Sequence, residues 1–231
     1  MSNMELTRDG AVHILTLTNG GNANTLTAEV LDEYHAALDK LEALAENLAL
    51  LVTSSDAKFF CNGINLEWIA TQPPDYFPRF ASLLDRLYLR FALADFPVVG
   101  CLTGHTYAGG ALLAATFDFR FMREERGFFC LPEVDIKIPF SPVMHEILRL
   151  FPDGQAAGEL LLTGKRIGGR EAKEMKIVHE AYPEQELFAK ALELARFLAA
   201  KDRKTYGSIK RGIRRHLVDV AREPAGPSSP S

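Results

Sequence analysis

At 231 residues and 47% hydrophobic side chains, the chain is sized for one domain with a substantial core, or one domain carrying a small helical appendage. A net charge of -4 argues against general attraction to nucleic acid or to acidic membranes. Three widely spaced cysteines (Cys61, Cys101, Cys130) form no CxxC pair, which favours reduced thiols over a disulfide framework or a zinc site.

No apolar run approaches the roughly 18 residues of a membrane span. The polar, acid-bearing start MSNMELTRDG is neither a signal nor a basic transit peptide, and the ending SPS is not an SKL-type address, so a cytoplasmic protein is expected.

MELTRDGAVHILTLT predicts two short strands about an Asp9-Gly10 turn. After the loop NGGNANT, Thr27 caps a predicted helix running to about Glu46, with Val30, Leu31, Tyr34, Leu38, Leu41 and Leu44 at helical spacing. LALLVTSS (48–55) reads as a buried strand, and LEWIA as a short helix interrupted by prolines. The stretch 77–96 is a long amphipathic helix ending before Pro97. PVVGCLTG predicts another buried strand, and 107–119 a glycine-led turn into an apolar helix. FRFMREE and GFFCL supply further short strands. From about Pro142 the chain is mostly helical, and PAGPSSPS has the composition of a disordered tail. Strand and helix alternate, which is an α/β pattern with an added helical segment. The boundaries expected are a core over 1–190, a helical segment over 191–223 that mediates trimer contacts and borders coenzyme A, and a tail over 224–231.

GxGxxG, GxxxxGK[ST] and GxSxG are all absent, and HEILR (145–149) has Arg149 where a zinc motif needs a second His. Two loop-to-helix junctions remain, KFFCNGINLEWI (58–69) and GHTYAGGALLAA (104–115). Each aims free helix-start N–H groups at one point, the recipe for an oxyanion hole, although either glycine cluster alone is better read as a tight turn. A third stretch, FFCLPEVDIKIPF (128–140), places Glu133 and Asp135 in apolar company, where a carboxylate must be paired or kept for chemistry.

Together these segments resemble the crotonase family, the enoyl-CoA hydratase/isomerase superfamily, over about 200 residues. FFCNGINL is similar to its first oxyanion loop, GHTYAGGALLAATFDFRF to its second, and LPEVDIKIPF to the segment bearing a catalytic carboxylate. LLTGKRIGGREAKEMKIVHEAYP follows in the family order. The resemblance implies an α/β spiral of stacked ββα units with C-terminal helices that pack in homotrimers or hexamers. It also implies an acyl-CoA ligand whose thioester oxygen lies between the Ile64 and Gly109 N–H groups, with Asn62, Gly63, Gly110 and Leu112 around the substrate. Coenzyme A enters as part of the substrate, and no metal or redox cofactor is expected.

Hydratases of the family carry a second glutamate in the helix after the glycines, where this chain has Leu112. One carboxylate still suffices to move a proton from C2 to C4 of a 3-enoyl-CoA, so the expectation is a Δ3,Δ2-enoyl-CoA isomerase with Glu133 as the shuttle. RGFFCLPEVDIKIP especially resembles the isomerases of plants and their bacterial relatives. The alternatives are an enoyl-CoA hydratase, another crotonase-type acyl-CoA enzyme, or a non-catalytic acyl-CoA-binding subunit. Phe128, Phe129, Leu131, Val134 and Ile136 are expected to raise the pKa of Glu133. Asp135 is expected to cap a turn or pair with Lys137 or an arginine, and Asn65 to support its loop. The Lys/Arg-rich stretch 201–216 is either a solvated or subunit-packed helix face, or a source of cations for the coenzyme A phosphates, Lys210 foremost.

Overall fold

Gly10, at φ +61, turns strand β1 (Met4–Asp9) back onto β2 (Val12–Leu17) in an antiparallel hairpin. Its position in the left-handed region is one that glycine occupies without strain. The computed structural model describes residues 2–222. Thr27 caps helix α1 (Ala28–Glu42) as expected, its hydroxyl accepting from the Val30 N–H.

Three strand–strand–helix turns then follow. The first comprises β3 (Ala49–Ser54), β4 (Phe59–Cys61) and the helices α2 (Leu66–Ala70) and α3 (Tyr76–Leu93). The second is β5 (Val98–Leu102), β6 (His105–Tyr107) and α4 (Gly109–Thr116), and the third β7 (Phe119–Arg123), β8 (Phe129–Cys130) and α5 (Glu133–Ile136). In each turn the first strand joins a six-stranded sheet of order β1-β2-β3-β5-β7-β9, and the second joins a three-stranded sheet of order β4-β6-β8. All pairings between these strands after the hairpin are parallel. The chain therefore advances as a spiral of ββα units, the expected fold. Helices α6 (Pro142–Leu148), α7 (Gly154–Thr163) and α8 (Gly169–Glu174) lead to β9 (Glu180–Tyr182), and α9 (Glu184–Ala199), α10 (Arg203–Ile213) and α11 (Arg215–Val220) complete the described residues.

β3 shows why its sequence is continuously apolar. Leu50 and Val52 face the larger core with α1, α3 and α4, while Ala49 and Leu51 face a second core sealed by Leu187, Ala191 and Ala195 of α9. A strand covered on both faces needs no polar alternation. Position 191 thus lies inside a helix that covers the sheet, and the tail expected at 224–231 lies outside the described residues. Two short strands, β6 and β9, differ from expectation. The sequence places Tyr107 in a turn and Tyr182 in a helix and assigns their strand neighbours to no element, because three residues carry too little periodicity to separate strand from loop.

The C-terminal helices are tied to the core through Asp118, just before β7. Its carboxylate accepts from the Val98 N–H, from Lys210 Nζ at 2.8 Å and from Arg214 at 3.0 Å. Lys210 and Arg214 are buried, and Arg214 also donates to the carbonyls of Ala92 and Thr116. Part of the basic run at 201–216 is therefore internal structure. Among the described residues, all three cysteines are unpaired and buried, no helix is long and apolar enough to cross a membrane, and no cluster of His, Cys, Asp and Glu could hold a metal.

Candidate active site

Both glycine junctions and the Pro132-Glu133 turn open onto one cavity of about 190 Å³. It forms where the ends of β4, β6 and β8 lie side by side, so the register of the small sheet brings the three sequence motifs together.

In the first junction Gly63 sits at φ +78 and its carbonyl accepts from the Leu26 N–H, while Asn65 N–H returns to the Leu26 carbonyl. That bridge leaves the Ile64 N–H without an acceptor among the described residues. Asn65 Oδ1 accepts from the Trp68 N–H at 2.8 Å and caps α2, the supporting role expected of it. In the second junction Ala108 is held at φ 48 and ψ -123, an uncommon conformation for a residue with a Cβ. Its N–H donates to the Cys130 carbonyl, and its own carbonyl accepts from Ala111 and Leu112. The Gly109 N–H, at the positive end of α4, is likewise unaccepted among the described residues.

The two junctions press on each other. A Cβ on Gly63 would lie 2.9 Å from the Gly109 nitrogen, and one on Gly110 would lie 2.3 Å from the Cys61 carbonyl oxygen. Asn62, Ile64, Gly109 and Leu112 line the cavity, but Gly63 and Gly110 do not. The last two were expected beside the substrate; their place is behind the wall, where the missing side chains let the loops close.

Glu133 begins α5, is buried at 6% exposure and faces the cavity. Its Oε2 has no hydrogen-bond partner. Burial pushes its pKa up to about 7, opposed only by its own backbone N–H. The source of that burial differs from expectation. Val134, in the one-turn helix, and Phe128, before it, are substantially exposed away from the cavity, and Ile136, also exposed, reaches only its mouth. Phe129 and Leu131 belong to the core. The apolar cover comes from distant segments: Leu84 and Tyr88 of α3, Leu112 of α4, Phe140, and Met144 of α6.

Tyr88 escaped the sequence reading altogether. It is fully buried, its hydroxyl donates to the Gly109 carbonyl at 2.9 Å, and it lines the cavity. Its only signal was a place on the apolar face of a long helix, which core tyrosines share. Asp135 is exposed, and among the described residues its side chain neither caps a turn nor pairs with Lys137 or an arginine, contrary to expectation. Lys210 must also be corrected as a phosphate contact. It is 3% exposed, bonded to Asp118 and to the Phe96 carbonyl, and burial lowers its pKa to about 8 against the pull of Asp118. Its ammonium is already committed inside the fold.

The chain matches the family model described as Enoyl-CoA hydratase/isomerase over residues 7–224. Enoyl-CoA delta isomerase 2, peroxisomal, of Arabidopsis thaliana is 30% identical over 233 residues, covering 93% of each chain. A short-chain-enoyl-CoA hydratase of Clostridium acetobutylicum is 26% identical over 196 residues, covering 84% of this chain and 74% of that one. The crystal structure of a probable enoyl-CoA hydratase from Mycobacterium tuberculosis superimposes with a TM-score of 0.87 at 21% identity, over 96% of this chain and 92% of that one, a likeness of fold. With the spiral, the paired junctions and the buried carboxylate in place, the chain belongs to the enoyl-CoA hydratase/isomerase, or crotonase, family.

Proposed function

We propose that this protein is a Δ3,Δ2-enoyl-CoA isomerase. One observation supports this reading above the others: among the described residues Glu133 is the only carboxylate lining the cavity, and Leu112, 2% exposed, fills the place where a hydratase of the family carries its second. Hydration needs a water activated on one side of the double bond and a proton delivered, a division of labour suited to two carboxylates. Isomerisation needs one group that takes a proton and gives it back.

In the proposed reaction the Glu133 carboxylate removes a proton from C2 of a 3-enoyl-CoA. The electron pair spreads over C2 to C4 and the thioester oxygen as a dienolate, and the same carboxyl returns the proton at C4, leaving a C2–C3 double bond. Negative charge on the thioester oxygen is met by the Ile64 and Gly109 N–H groups, and one such donor typically contributes about 3 kcal/mol. Asn62 and Leu112 border the substrate. A base with a pKa of about 7 is matched to reversible proton transfer near neutral pH. The acyl-CoA brings its own coenzyme, and the proton transfer is assigned to protein groups alone. Assembly through the C-terminal helices as a homotrimer or hexamer is part of the same proposal; Phe197, Ile209 and Ile213 stand exposed there at 61%, 60% and 75%.

Incubation with a 3-enoyl-CoA, followed by the absorbance of the conjugated 2-enoyl thioester, tests the reading. Turnover by the wild type and its loss in Glu133→Gln are expected, with little hydration of a 2-enoyl-CoA. Hydration faster than isomerisation would move the protein to the hydratases, and binding without either reaction would make it an acyl-CoA-binding subunit.

A further inference from the structure

One wall of the cavity is a strap fastened at its two ends. Helix α5 stops at Lys137, left-handed at φ 58, and residues 138–140 then run without regular structure to Ser141, the cap of α6. Ile138, Phe140 and Met144 face the cavity from this side. The opposite wall is α3, with Leu84 and Tyr88. Leu66 and Ile136, exposed at 49% and 39%, mark the mouth, while Leu84, Tyr88 and Leu112 lie at the closed end.

A single side chain bonds the two walls. Ser141 Oγ donates to Asp85 Oδ1 at 2.7 Å, and the same Ser141 oxygen accepts from the Met144 N–H at 3.1 Å. Asp85 follows Leu84 directly and precedes Tyr88 by one turn of α3. It has no ion-pair partner among the described residues, and burial pushes its carboxyl up to about 6 against the Ser141 hydrogen bond. Burying a carboxyl without a cation is unfavourable, so packing alone gives no reason to place one here.

We propose that Asp85 and Ser141 form a latch that holds the strap and Met144 against α3, and so sets the acyl-chain length that the cavity accepts. The proposal rests on the acyl-CoA reading of the site. The cavity, about 190 Å³ and open at its mouth, must hold the thioester beside Ile64 and Gly109 as well as the acyl chain. That favours short to medium acyl chains. Asp85 is a positioning residue, acting on the chain only through Ser141 and Met144.

Calorimetric binding of saturated acyl-CoAs from butanoyl to dodecanoyl tests the latch without requiring turnover. The wild type is expected to tighten up to hexanoyl or octanoyl and to weaken beyond. Asp85→Ala should move the decline to longer chains and narrow the octanoyl-over-dodecanoyl preference by about tenfold, the scale of a methylene-sized change in an apolar pocket. Ser141→Ala should act the same way, and carries the test should Asp85→Ala fail to fold. Asp85→Asn should keep the wild-type profile, since its amide oxygen still accepts from Ser141. Met144→Ala, which enlarges the strap wall directly, should shift the decline to longer chains as well. Ser141→Ala with an unshifted profile, or Asp85→Asn shifting as far as Asp85→Ala, would overturn the latch while leaving the acyl-CoA site standing. No binding of any chain length by the wild type would overturn both, and binding without isomerisation would remove the isomerase reading alone.

Discussion

Replacing Glu133 by Gln should make the protein more stable at alkaline pH, even as it abolishes activity. The carboxyl has an ordinary pKa of 4.5 and is raised to about 7 in the fold by burial. With a raised folded value, the protonated form is the one the fold prefers. Well below 4.5 both folded and unfolded states are protonated and the group is neutral to stability. As pH rises the unfolded chain ionises first, so folding is increasingly disfavoured up to about 7 and by a constant amount above it. At about 1.4 kcal/mol per pKa unit, the full penalty is roughly 3 kcal/mol; at about pH 5 only about 1 kcal/mol of it is present. Gln has nearly the same shape and cannot ionise. Its amide carries a pH-independent cost of its own, so the informative quantity is the change in the wild-type-to-variant difference between pH 5 and pH 8. Urea denaturation of both proteins at matched concentration should show the variant gaining about 2 kcal/mol relative to wild type across that interval. The kcat/KM of the wild type should rise along an acidic limb centred near 7, because the same proton must leave before Glu133 can act as a base. A stability difference identical at the two pH values would show that the carboxyl is not strained by burial, and the account of its tuning would fall.

Two further outcomes follow from the packing. Gly110→Ala would drive a Cβ to 2.3 Å from the Cys61 carbonyl oxygen and push the two N–H-bearing loops apart. Isomerase kcat should fall by at least about tenfold for a stability loss of about 1–3 kcal/mol, read by steady-state kinetics beside thermal melting. Lys210→Met should lower stability by about 1–3 kcal/mol by taking one of two buried cations from Asp118, Arg214 remaining, while leaving the affinity of the folded protein for coenzyme A thioesters unchanged. Affinity that falls with salt-sensitive behaviour in that variant would restore Lys210 to the phosphates.

The spiral was legible because its units are short and ordered. Buried strands such as LALLV, glycine-opened helices and the Pro132-Glu133 turn each announce themselves locally, and their order along the chain matches one family. Glu133, Ile64, Gly109 and Leu112 could be placed because motif position determines them. What sequence could not give was the partner across space. The neighbours of Glu133 in the chain are expected to supply its apolar setting, yet Phe128 and Val134 turn outward, Ile136 reaches only the mouth, and the deeper cover comes from Tyr88, Leu112 and Met144. Lys210 had the composition of a solvent-facing cation. Only the fold brings Asp118, in a different part of the chain, within 2.8 Å of it. Charge on a helix is read one residue at a time, whereas its satisfaction is a tertiary fact.

The same burial does two things at the site, and they cannot be separated. Excluding water raises the pKa of Glu133 because its ionised form loses hydration, and it strengthens the Ile64 and Gly109 N–H groups because nothing else screens their dipoles. In the proposed reaction, a second carboxylate at position 112 would draw in water and add negative charge where the dienolate is to form. Leu112 is therefore more than a missing glutamate. On the proposed isomerase reading, filling that place with hydrocarbon keeps one base poised near neutrality and the N–H donors unscreened; hydration would need in addition room for a water, which Leu112 denies.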